Sequence, residues 1–288
     1  MTRRPVGALG ALLLEMALLP SCIMASTSLR RLVPNVAFPS ARDGFEPILA
    51  DNMELGYGGR YILSLGQDRY GEVAIGDYVG LARWGLGGDA ILQANLGGGM
   101  LGRFNLSTKR NNLEVADYTA AFPVDIRFNP QHAVQLGWRH TSSHLGDDFI
   151  ARTKAVVEKR SHDMVRTLYA WTPDEKWRFY GGGALAVNTD NVPGRGSMQT
   201  GMEWVGPYFW NRRTQWFLAQ DLQFWERIEW NPIYTIRAGL RIADQKRIAA
   251  ARMFVEYFTG RLYFLQFNGR HESRWSFGLN FEVGNPTR

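Results

Sequence analysis

His140, Ser142 and His144 occupy alternate positions in the stretch His140-Thr141-Ser142-Ser143-His144. In an extended chain, positions i and i+2 share a face, with Cα atoms roughly 7 Å apart. An imidazole and a hydroxyl placed in this way can come within hydrogen-bond reach, the minimum for an activated serine nucleophile. The chemistry would be acyl transfer, with Ser142 attacking an ester carbonyl and His140 taking its proton. A carboxylate is needed to orient the imidazole. By parity, Asp163 on the next segment or Glu114 on the previous one fits that role. A plainer role fits the same residues. His, Ser and Thr are ordinary at a polar rim, and His144, Asp147 and Asp148 can cap a loop through hydrogen bonds. Zinc is disfavoured, because i and i+4 on a strand lie about 13 Å apart. Two adjacent acids are thin ground for calcium. No metal and no cofactor is expected.

The elements that must carry these residues are strands. From residue 51 the chain alternates with period two. In 232–242, Tyr234, Ile236, Ala238, Leu240 and Ile242 fall on one face, and Thr235, Arg237, Gly239 and Arg241 on the other. Residues 274–283 repeat the pattern. About twelve segments follow: 52–65, 71–84, 89–104, 113–127, 131–144, 161–172, 176–188, 196–209, 214–227, 232–243, 249–259 and 272–284. They are longer than the five or six residues usual for soluble strands and long enough to cross a bilayer with a tilt. Tight connectors at 129–131, 172–175 and 243–246 alternate with longer polar ones at 107–112, 145–160, 189–195 and 260–271.

Composition agrees. The chain has 31 Gly in 288 residues, 16 Phe, 11 Tyr and 10 Trp, a Gly-rich and aromatic-rich balance that leans towards β structure. The net charge of +6 divides into 33 bases and 27 acids with no dense basic tract, so nucleic acid is not expected as a partner. The single cysteine, Cys22, excludes an intrachain disulfide and a cysteine zinc site.

Two barrels produce such alternation. A soluble one points its apolar face inwards; a membrane one points it at lipid. Strand length, aromatic residues at strand ends (Trp84, Trp171, Trp177, Trp210, Trp216, Trp230) and an N-terminal leader favour the membrane. Arg3 and Arg4 before an apolar stretch to Pro20 read as a signal peptide over residues 1–25, despite Glu15. Cleavage after Ala25 competes with a lipoprotein-type box ending at Cys22. Residues 26–50, with Pro34, Pro39 and Pro47, read as an extended periplasmic arm, 51–284 as the barrel and 285–288 as a tail.

The lumen face would then carry Asp125, Arg127, Arg139, Arg166, Arg178, Asp221, Arg237, Arg241, Arg252 and Glu256, with Gln93, Asn95, Gln223, Asn280 and Glu282. These charges could plug a narrow interior with ion pairs or line a slim polar channel. The apolar face would meet outer-membrane lipids. His140, Ser142 and His144 continue the parity of Val134, Leu136 and Trp138, which puts them on the lipid side near the outer rim. Gly97-Gly98-Gly99 and Gly181-Gly182-Gly183 lie mid-strand and lack the Lys-Ser/Thr of a phosphate loop.

Two resemblances follow. The last strand, Ser276 to Val283, looks like the C-terminal signal read by the barrel-assembly machinery, although Val283 and five further residues depart from it. The stretches Phe45–Asp51, Arg103–Leu106, Asp117-Tyr118, His140–Asp148 with Ser143, Gly146 and Asp147, Tyr180–Gly183 and Val255–Phe258 resemble the bacterial family catalogued as domain of unknown function 1207. The likeness spans about 45–283. It implies an exported outer-membrane barrel and carries no activity with it. The His-x-Ser element alone is similar to the outer-membrane phospholipase and to lipid A deacylases.

The expectation is therefore an all-β, antiparallel transmembrane barrel of about twelve strands, with short periplasmic turns and longer outer loops, in the outer membrane of a Gram-negative-type bacterium. Its function is structural or weakly conducting; the alternative is a lipid acyl-ester hydrolase.

Overall fold

The computed structural model describes residues 34–40, 43–63, 68–244 and 249–283. The expected signal peptide, Cys22 and the tail lie outside the described residues.

Among the described residues thirteen strands form one sheet, and all but the two-residue Val36–Ala37 are long enough to ring it. In chain order they are β1 (Tyr57–Leu63), β2 (Arg69–Gly87), β3 (Ala90–Asn105), β4 (Asn112–Asn129), β5 (His132–Leu145), β6 (Arg160–Trp171), β7 (Trp177–Asp190), β8 (Gly196–Phe209), β9 (Thr214–Trp225), β10 (Pro232–Asp244), β11 (Ala249–Arg261) and β12 (His271–Val283). Each pairs antiparallel with the next. β12 pairs with β1 from Trp275↔Leu63 to Phe281↔Tyr57, which closes the barrel. No helix among the described residues is long and apolar enough to cross a membrane.

Which face looks out is decided on β12. Trp275, Phe277, Phe281 and Val283 are 49% to 59% exposed, whereas Arg274, Ser276 and Glu282 are 0% to 5% exposed. Buried charge with exposed large apolar residues is the reverse of a water-soluble barrel. Turn lengths also divide by end. One end has the two-residue turn at 88–89, helped by left-handed Gly87 and Gly88, and the short links 130–131 and 172–176. The other has 106–111, 146–159 and 262–270. The loop after β5 holds helix α1 (Asp147–Thr153), with Asp147 and Asp148 in its first turn, where carboxylates suit the helix dipole.

The start of the barrel differs from expectation. β1 begins at Tyr57 rather than near residue 51; residues 43–50, expected in the arm, and 51–56, expected in the wall, lie inside the ring. Phe45, Ile48 and Ala50 are buried, and Phe45 and Ile48 pack on Leu168, Ala170 and Tyr180 of the inner wall. The reason is chemical. Asp51, Asn52 and Glu54 are polar and buried or nearly so, and the inner wall carries the partners that satisfy them.

With β1 shortened, its last pair with β2 is Gly58↔Ala74. The next strand contact on that side is Ala37↔Ala82. Between them the edge of β2 has no strand partner among the described residues. The side chain of Asp77 accepts from the Tyr78 N–H at 2.8 Å and so caps part of that edge.

The apolar core sits inside the long-loop end. Leu262, Tyr263, Phe264 and Phe267 fold inwards onto Phe258, Ile233, Ile228, Trp225 and Phe149, and all are buried.

Candidate functional site

Two places gather functional side chains: the inner wall, and a strip on the outer face near the long loops.

On the inner wall, the segment 43–56 is held by wall side chains at nearly every step. Arg127 Nη1 donates to the Asp43 carbonyl at 2.9 Å, and Arg178 Nη2 to the Glu46 carbonyl at 2.7 Å. Glu203 accepts from Leu49 N–H at 2.8 Å and pairs with Arg178 at 3.1 Å. Arg237 donates to Asn52 Oδ1 at 2.7 Å and pairs with Glu256 at 2.6 Å. Arg139 donates to the Met53 carbonyl, and Arg166 lies 3.6 Å from Asp51 and 3.7 Å from Glu54. Asp221 accepts from Gln199, Gln223 and Tyr180. Asp125 accepts from Asn95 and Gln135, both at 2.9 Å. Arg241 and Arg252 both meet Glu282.

The densest ion cluster was not anticipated. Glu72 accepts from Arg60 at 2.7 Å and Arg274 at 3.0 Å, and the Tyr263 hydroxyl also donates to it. Arg60 reaches Glu256 as well, at 3.1 Å. Burial pushes the Tyr263 hydroxyl above its ordinary pKa. The alternation that places Arg274 inside β12 was the available signal, and Glu72 follows the same rule on β2. The cluster ties the inward-folded loop 262–270 to the wall.

Between that loop and the segment 51–56 lies a cavity of about 60 Å³. Arg227 reaches it from the loop after β9 and is stacked 4.0 Å above the Trp225 ring. Burial pulls the Arg227 guanidinium down to about 10, with Asp117 as the partly offsetting charge.

On the outer face, β5 and β6 put His140 directly across from Asp163. His140 Nδ1 and Asp163 Oδ1 are 2.9 Å apart, and Asn188 holds the other carboxylate oxygen at 3.2 Å. Ser142 Oγ bonds not to His140 but to His144 Nε2, at 3.0 Å. His144 also meets the Tyr118 ring edge-on at 5.6 Å, and His140 stacks on Trp138 at 6.2 Å. The expected relay is thus divided: the imidazole with the carboxylate is not the imidazole on the serine. Sequence parity could not choose between two histidines that flank Ser142 symmetrically.

Glu114 does not join this strip. It is the extra residue of a β-bulge, since Arg103 pairs with Val115 and Phe104 with Leu113. Its buried carboxylate accepts from Asn105 at 3.3 Å and Arg152 at 2.8 Å. Ala120 is the residue opposite His140, six positions away, on the order of 20 Å along β4. Ser143 has the opposite parity to Ser142 and donates to buried Asp117. Gly146 caps α1, where a Cβ would collide with the Leu113 carbonyl. Asp147 is exposed in that helix. No group of three or more metal-ligating residues occurs among the described residues.

Among solved structures the chain is similar to the KdgM porin, at 7% identity and a TM-score of 0.45, over 80% of this chain and 99% of that one. It is similar to BamA from Haemophilus ducreyi at 9% and 0.36, over 84% and 76%. The transport unit of the autotransporter AIDA-I from Escherichia coli gives 11% and 0.39, over 79% and 88%. No curated protein matches. The family model described as protein of unknown function (DUF1207) matches residues 23–282, nearly the whole barrel together with the segment that enters it, and the chain belongs to that family.

Proposed function

We propose that this protein is an outer-membrane barrel of a Gram-negative-type bacterium whose lumen is sealed by its own chain, a structural rather than conducting element. The observation that carries the reading is the occupation of the interior from both ends: residues 43–56 from the short-turn end, and 262–267 with Arg227 from the other. The exposed apolar belt suits outer-membrane lipids, and the terminal strand suits recognition by the barrel-assembly machinery. Planar-bilayer recording on the folded protein tests it. No discrete conductance steps are expected from the wild type. Intermittent steps are expected from Arg178→Ala/Arg237→Ala, which frees the backbone of the inner segment. Regular steps in the wild type would overturn the sealed reading.

One observation favours a second reading, a lipid acyl-ester hydrolase: a carboxylate-held imidazole, His140–Asp163, two residues from Ser142 on the same outer face. Ser142 Oγ would bond to the acyl carbon, an imidazole would take its proton and return it to the leaving alcohol, and water would release the fatty acid. Mass spectrometry of phospholipid and lipid A incubated with the protein decides. Equal fatty-acid release from wild type, Ser142→Ala, His140→Ala and His144→Ala ends this reading. Loss in all three supports it.

A further inference from the structure

Three guanidinium groups border the cavity of about 60 Å³ under the inward-folded loop, and they are held differently. Arg166 faces Asp51 and Glu54. Arg139 donates to the Met53 carbonyl. Among the described residues Arg227 donates only from Nη2, to the Tyr263 carbonyl at 3.3 Å. Its Nε and Nη1 have no acceptor among the described residues, although the side chain is only 9% exposed. An arginine carries five N–H donors, and leaving buried ones unmatched is costly.

The acids on the same wall do not fill that need. Asp51 accepts from Met53 N–H, Gln199 and Gln223. Asp117 accepts from the Ser143 hydroxyl and from Leu265 N–H. Neither forms an ion pair with Arg227 among the described residues. His162 is stacked on Trp225, parallel to within 7°, and forms no hydrogen bond among the described residues, so a second polar ring borders the same space. Met164 and Leu168 supply apolar wall.

We propose that this cavity binds a small monovalent anion of halide size against Nε and Nη1 of Arg227. The volume admits one or a few atoms. Asp51, Glu54 and Asp117 nearby would repel a multiply charged oxyanion. The site stands on the cavity and on Arg227 and does not depend on whether the barrel conducts.

Bromide is the probe. Crystals of the full chain grown in sodium bromide should show an anomalous peak beside Arg227 Nε and Nη1. In solution, the unfolding midpoint of the wild type should climb for every tenfold rise in chloride at constant ionic strength, with gluconate as the balancing anion. Arg227→Gln should abolish that slope. Water alone beside Arg227 in bromide-grown crystals would overturn the proposal, as would equal chloride slopes in wild type and variant. If Arg227→Gln fails to fold, the wild-type bromide crystals decide alone.

Discussion

Asp51, on the segment inside the barrel, and Asp221, on β9, are bracketed by the same two amides. Gln199 Nε2 donates to Asp51 Oδ2 at 3.1 Å and to Asp221 Oδ1 at 2.9 Å. Gln223 Nε2 donates to Asp51 Oδ1 at 3.1 Å and to Asp221 Oδ2 at 2.7 Å. Two carboxylates that would repel each other are thereby held side by side. Gln223→Leu removes one bracket and also the acceptor of the Trp225 indole N–H. A loss of about 1–3 kcal/mol is expected from the unmatched groups. Urea unfolding in detergent measures it, and an unchanged midpoint would mean that the bracket does not anchor the segment.

Arg178 and Glu203 are both buried, and each also binds the inner segment. Removing one partner of such a pair strands the other charge, at a cost of about 3–5 kcal/mol. Arg178→Met should therefore destabilise strongly. Adding Glu203→Gln, which keeps an acceptor for Leu49 N–H without the charge, should recover part of the loss. A double variant as weak as the single one would show that the stranded carboxylate is not the main cost.

Glu54 gives a pH dependence with a definite sign. Burial is the largest influence and pushes its carboxyl above the ordinary value, against Arg166 and Arg139 and together with Asp51. A carboxyl raised in the folded state disfavours folding at pH above its folded pKa. That penalty fades as pH falls through this value, and the trend stops once the unfolded chain is protonated as well. In Glu54→Gln the contribution is absent. Relative to the variant, the wild type should gain stability on moving from neutral pH to about pH 5. Thermal unfolding of both proteins across that range checks it, and parallel curves would contradict it.

The strands were legible because alternation needs only local sequence. The segments expected at 232–243 and 249–259 match β10 and β11 almost residue for residue. Alternation alone starts the first strand at residue 52, five residues before Tyr57, because Asn52 and Glu54 alternate with Met53 and Leu55 like strand residues. What keeps them off the wall is long-range: Asn52 binds Thr235, 183 positions away. An inner-facing arginine can be recognised by parity, but parity does not reveal whether a carboxylate, a backbone carbonyl or a solvent path satisfies it. The outer strip has the same limit. His140 and His144 are equivalent by spacing, and only the rings of Trp138 and Tyr118 and the register with Asp163 distinguish them.

Phe254 gives the last test, of packing between wall and inner segment. It pairs with Gly239 on β10 and Gly278 on β12, so both neighbours lack a side chain. Its ring lies over Gly278, in a cluster with Phe217, Val205 and Leu49, the last from the inner segment. Arg237 lies 4.8 Å above the same ring. A Cβ at Gly278 would overlap the ring, whose cluster also packs against Leu49. Gly278→Ala should cost about 1–3 kcal/mol by overpacking. Phe254→Leu leaves a void alone but makes room for the new methyl, so the double variant should be more stable than the sum of the single changes allows. Unfolding midpoints of the four proteins give the coupling directly. Strict additivity would mean that the ring moves aside freely and does not tie the inner segment to the wall.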